Sequence, residues 1–263
     1  MPDDSMKRLV CVLVVLIAAS LPGEEWTPPE HPDLQQILGE AHQDCDAGRY
    51  ELALAKHVWF HEHALEIEPA MSGVRLSFAL GYWHQLGQKY PPALEMLKST
   101  RDQAGQAVTA PGDTLSAFQE FAAINRELKD DARTKALFVK LDAEQPSAAA
   151  KVFHMARPAL VRAKDYELCA KYIHPQKDVE RLKKFYKAIR RLKERNPNRP
   201  GLDAVGEKRL VNDATTSVAI LAVTGRKKEA LAMARQAREI WDDTDFATRL
   251  SEALNGVVPE PWP

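Results

Sequence analysis

Apolar residues recur along this chain at intervals of three and four, and the runs that carry them break at short polar turns. Leu34, Ile37, Leu38, Ala41 and Cys45 fall at i, i+3, i+4, i+7 and i+11, one face of an amphipathic helix ended by Gly48. A partner helix is predicted over 50–67, stopped by Pro69. The second hairpin pairs 72–85 with 91–107, where Pro91 and Pro92 suit a helix's first turn. After a loop at Pro111-Gly112, a third pairs 114–127 with 131–144, and a fourth pairs 148–163 with 166–173. Turn-to-turn spacing of roughly 35 to 42 residues then widens to about 61, leaving room for one additional helix over 177–195. A fifth hairpin pairs 207–223 with 227–241, and a short helix covers 244–254. No stretch alternates with period two for long enough to predict a strand.

The five turns read Ala47-Gly48-Arg49-Tyr50, Leu86-Gly87-Gln88-Lys89-Tyr90, Lys129-Asp130-Asp131, Ala163-Lys164-Asp165-Tyr166 and Thr224-Gly225-Arg226-Lys227. One hairpin cannot bury its own apolar face, so five in series predict an all-α protein, a right-handed α-solenoid with one additional basic helix. The expected organisation is hairpins one to four over 32–175, the basic helix and its linker over 176–200, the last hairpin and short helix over 201–255, and a tail over 256–263.

Ahead of the helices, Lys7 and Arg8 precede an uncharged run from Leu9 to Ala19, and Ala18-Ala19-Ser20 presents small residues before Leu21-Pro22-Gly23. That is the pattern of a cleavable signal peptide over 1–20, followed by an extended, proline-bearing leader over 21–31. A membrane anchor is the rival reading, but the run falls short of the roughly 20 apolar residues a spanning helix needs. Asp3 and Asp4 sit poorly in a basic leader, which places the expected start at Met6 as readily as Met1. The address implied is periplasmic or extracellular. There, of three cysteines, Cys11 leaves with the signal and Cys45 and Cys169 remain. They fall in the first and fourth hairpins; helix layers about 8–10 Å apart keep them beyond the roughly 7 Å a disulfide spans, so two separate buried thiols are expected.

In Gly48-Arg49-Tyr50-Glu51-Leu52-Ala53-Leu54-Ala55 the order of glycine, tyrosine and small residue resembles a tetratricopeptide repeat, and Gly225, Ala230, Ala234 and Ala237 do so again. The first hairpin departs by a second helix about one turn longer, and the third and fourth turns lack glycine. The resemblance implies a concave groove that binds a protein or peptide, by analogy of fold.

Candidate chemistry is sparse. In Lys56-His57-Val58-Trp59-Phe60-His61-Glu62-His63, His57 and His61 are one helical turn apart, and with His63 they are the candidate metal ligands. Each also shares a stripe with apolar neighbours, which reads as packing. Trp59, Tyr82 and Trp83 concentrate aromatic surface in the first two hairpins, as core or as partner-binding anchors. Between 177 and 199 ten basic and three acidic residues give +7, so the rest of the chain carries −8 to reach the net −1. Val179, Leu182, Phe185, Ile189 and Leu192 make an apolar stripe on that helix, leaving Lys183, Lys184, Arg190 and Arg191 to face solvent or an anionic surface. There is no nucleophile elbow, phosphate loop or closed metal-ligand set, and no cofactor is implied. The sequence therefore points to an exported, non-catalytic scaffold for a protein or peptide partner, with nucleic acid disfavoured by export. A metal-binding protein or enzyme centred on His57, His61 and His63 is the alternative.

Overall fold

The computed structural model describes residues 26–196 and 201–262. Its regular elements are helical: α1 (Leu34–Asp46), α2 (Tyr50–Ile67), α3 (Ser72–Arg75), α4 (Phe78–Lys89), α5 (Pro91–Thr109), α6 (Thr114–Glu127), α7 (Asp131–Glu144), α8 (Pro146–Arg162), α9 (Tyr166–Tyr172), α10 (Pro175–Arg195), α11 (Leu202–Val223), α12 (Lys227–Ile240) and α13 (Thr244–Leu254), besides one 3-10 turn at Pro69–Met71. No strand occurs among the described residues, and no helix among them is long and apolar enough to cross a membrane. The signal-like segment 1–20, with Cys11, and leader residues 21–25 lie outside the described residues.

Four of the five sequence turns share one backbone solution. Gly48, Lys129, Lys164 and Gly225 all take positive φ, at 78°, 56°, 54° and 81°. In each, the amide of the next residue reaches back five positions: Arg49 to the Asp44 carbonyl at 2.8 Å, Asp130 to Asn125 at 2.8 Å, Asp165 to Leu160 at 2.9 Å, and Arg226 to Leu221 at 2.8 Å. This is the left-handed C-terminal cap that satisfies carbonyls a helix would otherwise leave open. The turns without glycine keep its geometry at the steric cost of a side chain.

The second turn is a correction. The helix α4 runs through Gly87 to Lys89, and extended Tyr90 followed by Pro91 reverses the chain. A Cβ on Gly87 would stand 3.0 Å from the Leu94 Cβ, so this glycine lets α4 and α5 approach instead of making a turn. The predicted helix over 72–85 is also split at Leu76-Ser77 into α3 and α4. The first helix of the last hairpin starts at Leu202, not 207. It includes Gly206, whose missing side chain leaves room for Ile189 of α10, only 2.8 Å from where a Cβ would lie.

The chain forms two compact units, with the division after Ala70, inside the stretch predicted as one array. In the first, α1 packs on α2 through Leu34, Ile37, Leu38, Ala41, Ala53, Phe60 and Ala64. Lys56 is buried there too, pairing with Asp44 at 2.8 Å and Glu40 at 3.0 Å, while Arg49 reaches Asp44 at 2.6 Å. In the second unit consecutive helices from α4 to α9 pack on one another, and α4, α6 and α8 also touch in sequence. Phe118, Phe138, Phe153 and Tyr172 run as a chain of ring contacts with centroids 6.3, 6.1 and 5.1 Å apart. The helices α10 to α13 close the unit, with Met233, Phe246 and Leu250 fully buried among them. Cys45 lies in the first unit and Cys169 in the second, both as buried free thiols.

Candidate functional site

The second unit contains a groove of about 500 Å³ between α6, α8 and α11, with α3 and the segment after α13 at its margins. Helical periodicity sets its walls. Gln119, Ala123 and Arg126 project from α6; His154, Arg157, Pro158 and Arg162 from α8; Arg209, Asn212 and Thr216 from α11. Pro158 sits inside α8 and has no amide to give the His154 carbonyl four residues earlier, so a main-chain acceptor is left without its helix donor at this wall.

Ion pairs hold the floor. Arg157 pairs with Asp213 and donates to the Ser217 hydroxyl at 3.3 Å, tying α8 to α11. Arg162 binds Asp131 at 2.6 Å, and Arg126 donates to the Leu76 carbonyl at 3.1 Å. Arg209 stands 3.9 Å from Asp213 and lies over the Phe185 ring at 5.7 Å. Crowding by the groove walls, with Arg181, Arg157 and Arg209 nearby, lowers the His154 pKa below its ordinary value. The site is thus a cationic, hydrogen-bonding trough with apolar patches at Leu115, Ala122 and Met155. Pro261 and Trp262 also line it, and the Asn212 carboxamide bonds the backbone at Glu260 and Trp262.

The predicted basic helix is α10. Val179, Leu182 and Ile189 are buried as expected and Phe185 is half-buried, but Leu192 is 41% exposed, so the apolar stripe ends a turn early. Lys183 pairs with Glu180 at 2.9 Å, Arg181 with Asp178 at 2.8 Å and Lys193 with Asp203 at 2.5 Å. Lys184, Lys187, Arg190 and Arg191 make no salt bridge among the described residues. Lys183, Lys187, Arg190 and Arg191 border an open cleft of about 490 Å³ beside Tyr186, whose ring stacks on Trp241 at 6.1 Å. Residues 197–199 of the basic segment lie outside the described residues.

The histidine helix is α2. His57 and His61 are 2% and 5% exposed and lie on its packed face with Phe60. His63 lies elsewhere on the helix, with its Nδ1 3.0 Å from Glu66 and its ring 5.2 Å from that of Trp59. The three candidate ligands therefore do not converge, and no group of three or more His, Cys, Asp or Glu side chains suited to a metal occurs among the described residues. Burial, and secondarily His42, holds His57 at a pKa of about 4.

Of the aromatic candidates, Trp59 is half-buried, edge-on to Trp26 at 5.8 Å, and Tyr82 is half-buried on α4. Trp83 is corrected to core: it is 2% exposed and donates its indole N–H to the Ala93 carbonyl at 3.0 Å.

No protein-family model, curated protein or solved structure matches this chain. Sequence reasoning missed Arg157, Asn212 and Thr216, the residues that give the groove its character. The pairing of Arg157 with Asp213 spans 56 positions, and no local motif marks it.

Proposed function

We propose that this protein is an exported, non-catalytic interaction scaffold of tetratricopeptide-like character, whose hairpins stack as a right-handed solenoid and whose groove receives an extended polypeptide. The observation that carries the reading is the groove itself: walls from α6, α8 and α11, arginines held in place by ion pairs, and a wall asparagine that bonds main chain. Such a surface suits a backbone with side chains on either side better than a small substrate. Selecting from a displayed peptide library against the full chain tests it. Groove-binding peptides should lose at least about tenfold in affinity on an Ala122→Arg variant, in which a bulky cation fills the trough. A selection yielding no peptide that distinguishes the two proteins overturns the reading.

A second contact is favoured by the cations of α10 that make no salt bridge among the described residues. Lys184, Lys187, Arg190 and Arg191 give the helix a positive face suited to anionic lipid or envelope polymer, held by long-range attraction.

A further inference from the structure

The segment after α13 forms part of the groove's margin through Pro261 and Trp262. Gly256, at φ 88°, ends the helix, with the Val257 amide bonded to the Glu252 carbonyl at 3.1 Å. Beyond it Pro259 and Pro261 have fixed φ and no amide, so in 259–262 only Glu260 and Trp262 have a main-chain N–H to place. Asn212 takes one of them. Its Oδ1 accepts from the Trp262 amide at 2.8 Å, and its Nδ2 donates to the Glu260 carbonyl at 2.6 Å. One carboxamide therefore pairs with both an acceptor and a donor of a single proline-bounded backbone, two residues apart, as a neighbouring strand would.

These bonds read main chain, so they do not select a sequence. Selection falls to the prolines, which hold the backbone extended before binding, and to the half-buried indole. A second observation lies one helical turn away. Thr216 lines the groove, is 2% exposed, and its hydroxyl has no hydrogen-bond partner among the described residues. Thr215 and Ser217 of the same helix, and Thr224 at its C-terminal cap, each donate to a carbonyl four residues back, which is the usual resort of a helical hydroxyl. Arg209, Asn212 and Thr216, at i, i+3 and i+7, thus present one polar face of α11 to the groove, only partly used by the resident segment.

We infer that residues 259–262 are a resident mimic of the groove's partner, and that the partner is an extended polypeptide carrying Pro-X-Pro followed by an aromatic residue. The inference rests on the polypeptide-groove reading above and adds the chemistry of the ligand. It also makes the segment a competitor for Asn212. A tethered segment competes at an effective concentration in the millimolar range, so a partner in trans binds only as that segment leaves.

Fluorescence anisotropy with a labelled Val-Val-Pro-Glu-Pro-Trp peptide tests this on the full chain. Wild type should bind the peptide weakly. Trp262→Ala, which loosens the resident segment, should bind it about tenfold or more tighter, and Asn212→Ala added to that variant should remove about tenfold again. Helical dichroism checks that the variants are folded; if Trp262→Ala is not, Pro259→Ala with Pro261→Ala loosens the segment and keeps the indole. A folded, loosened variant that binds no tighter than wild type overturns the inference. If library-selected peptides without this motif bind the loosened protein through Asn212 while Val-Val-Pro-Glu-Pro-Trp does not, the mimic fails and the polypeptide groove stands. If neither binds, both fall.

Discussion

Lys56 Nζ lies 2.8 Å from Asp44 Oδ2, with the two side chains 8% and 7% exposed. Burial alone would raise the Asp44 carboxyl, but hydrogen bonds from Lys56 and Arg49 outweigh it and hold its pKa below the ordinary value. The ammonium also bridges to Glu40 and lies 6.0 Å from the centre of the Trp26 ring, so it joins α1, α2 and the leader. Replacing it with a neutral side chain leaves Asp44 to Arg49 alone. Lys56→Met should lower stability by about 2 kcal/mol, below the cost of orphaning a carboxylate completely, as read by urea denaturation.

The shared left-handed turns predict opposite responses at equivalent positions. Gly48→Ala forces a side chain into positive φ and should cost about 1 kcal/mol. Lys164→Gly relieves the same strain and should stabilise by about 0.5 kcal/mol, after the added unfolded-state entropy of glycine is subtracted. Thermal melts of the two variants check both signs.

His57 gives the fold a pH dependence. Its pKa falls from 6.5 when unfolded to about 4 when folded, so between those values the unfolded chain binds more protons. The stabilisation is fully present above pH 6.5, is lost as pH falls toward 4, and is constant below. The ceiling on the loss is about 3 kcal/mol. His57→Gln should flatten the stability profile between pH 6.5 and 4, and an unchanged slope in that window would show that the imidazole is not buried in its neutral form.

Electrostatic docking of α10 is tested with anionic vesicles. Replacing Lys183, Lys184, Arg190 and Arg191 with serine should abolish co-sedimentation at low salt without loss of helical dichroism. Wild-type binding should weaken steeply as added salt shortens the screening length toward about 8 Å. Absence of wild-type binding at low salt would leave α10 with a packing role only.

Most helices were legible because their apolar stripes follow a period of 3.6, and the turn residues marked their ends. Gly87 misled because glycine serves two purposes, a left-handed turn or a close approach, and only the position of Leu94 decides between them. Lys129 and Lys164 show the converse, a turn geometry kept after its usual residue is gone. The basic face of α10 could be read from charge and periodicity, though not that Leu192 would escape burial. The groove could not be read. Asn212 and Trp262 are 50 positions apart, and nothing in either neighbourhood announces that a carboxamide will meet a proline-bounded backbone.

The two buried thiols give the chain a built-in pair of clocks. Burial pushes the Cys169 thiol up to about 12, so at neutral pH it meets an alkylating reagent only when its surroundings open. Cys45 is enclosed in the other unit. Labelling rates at the two sulfurs, followed by mass spectrometry in rising urea, would time each unit's opening separately, with no foreign probe introduced.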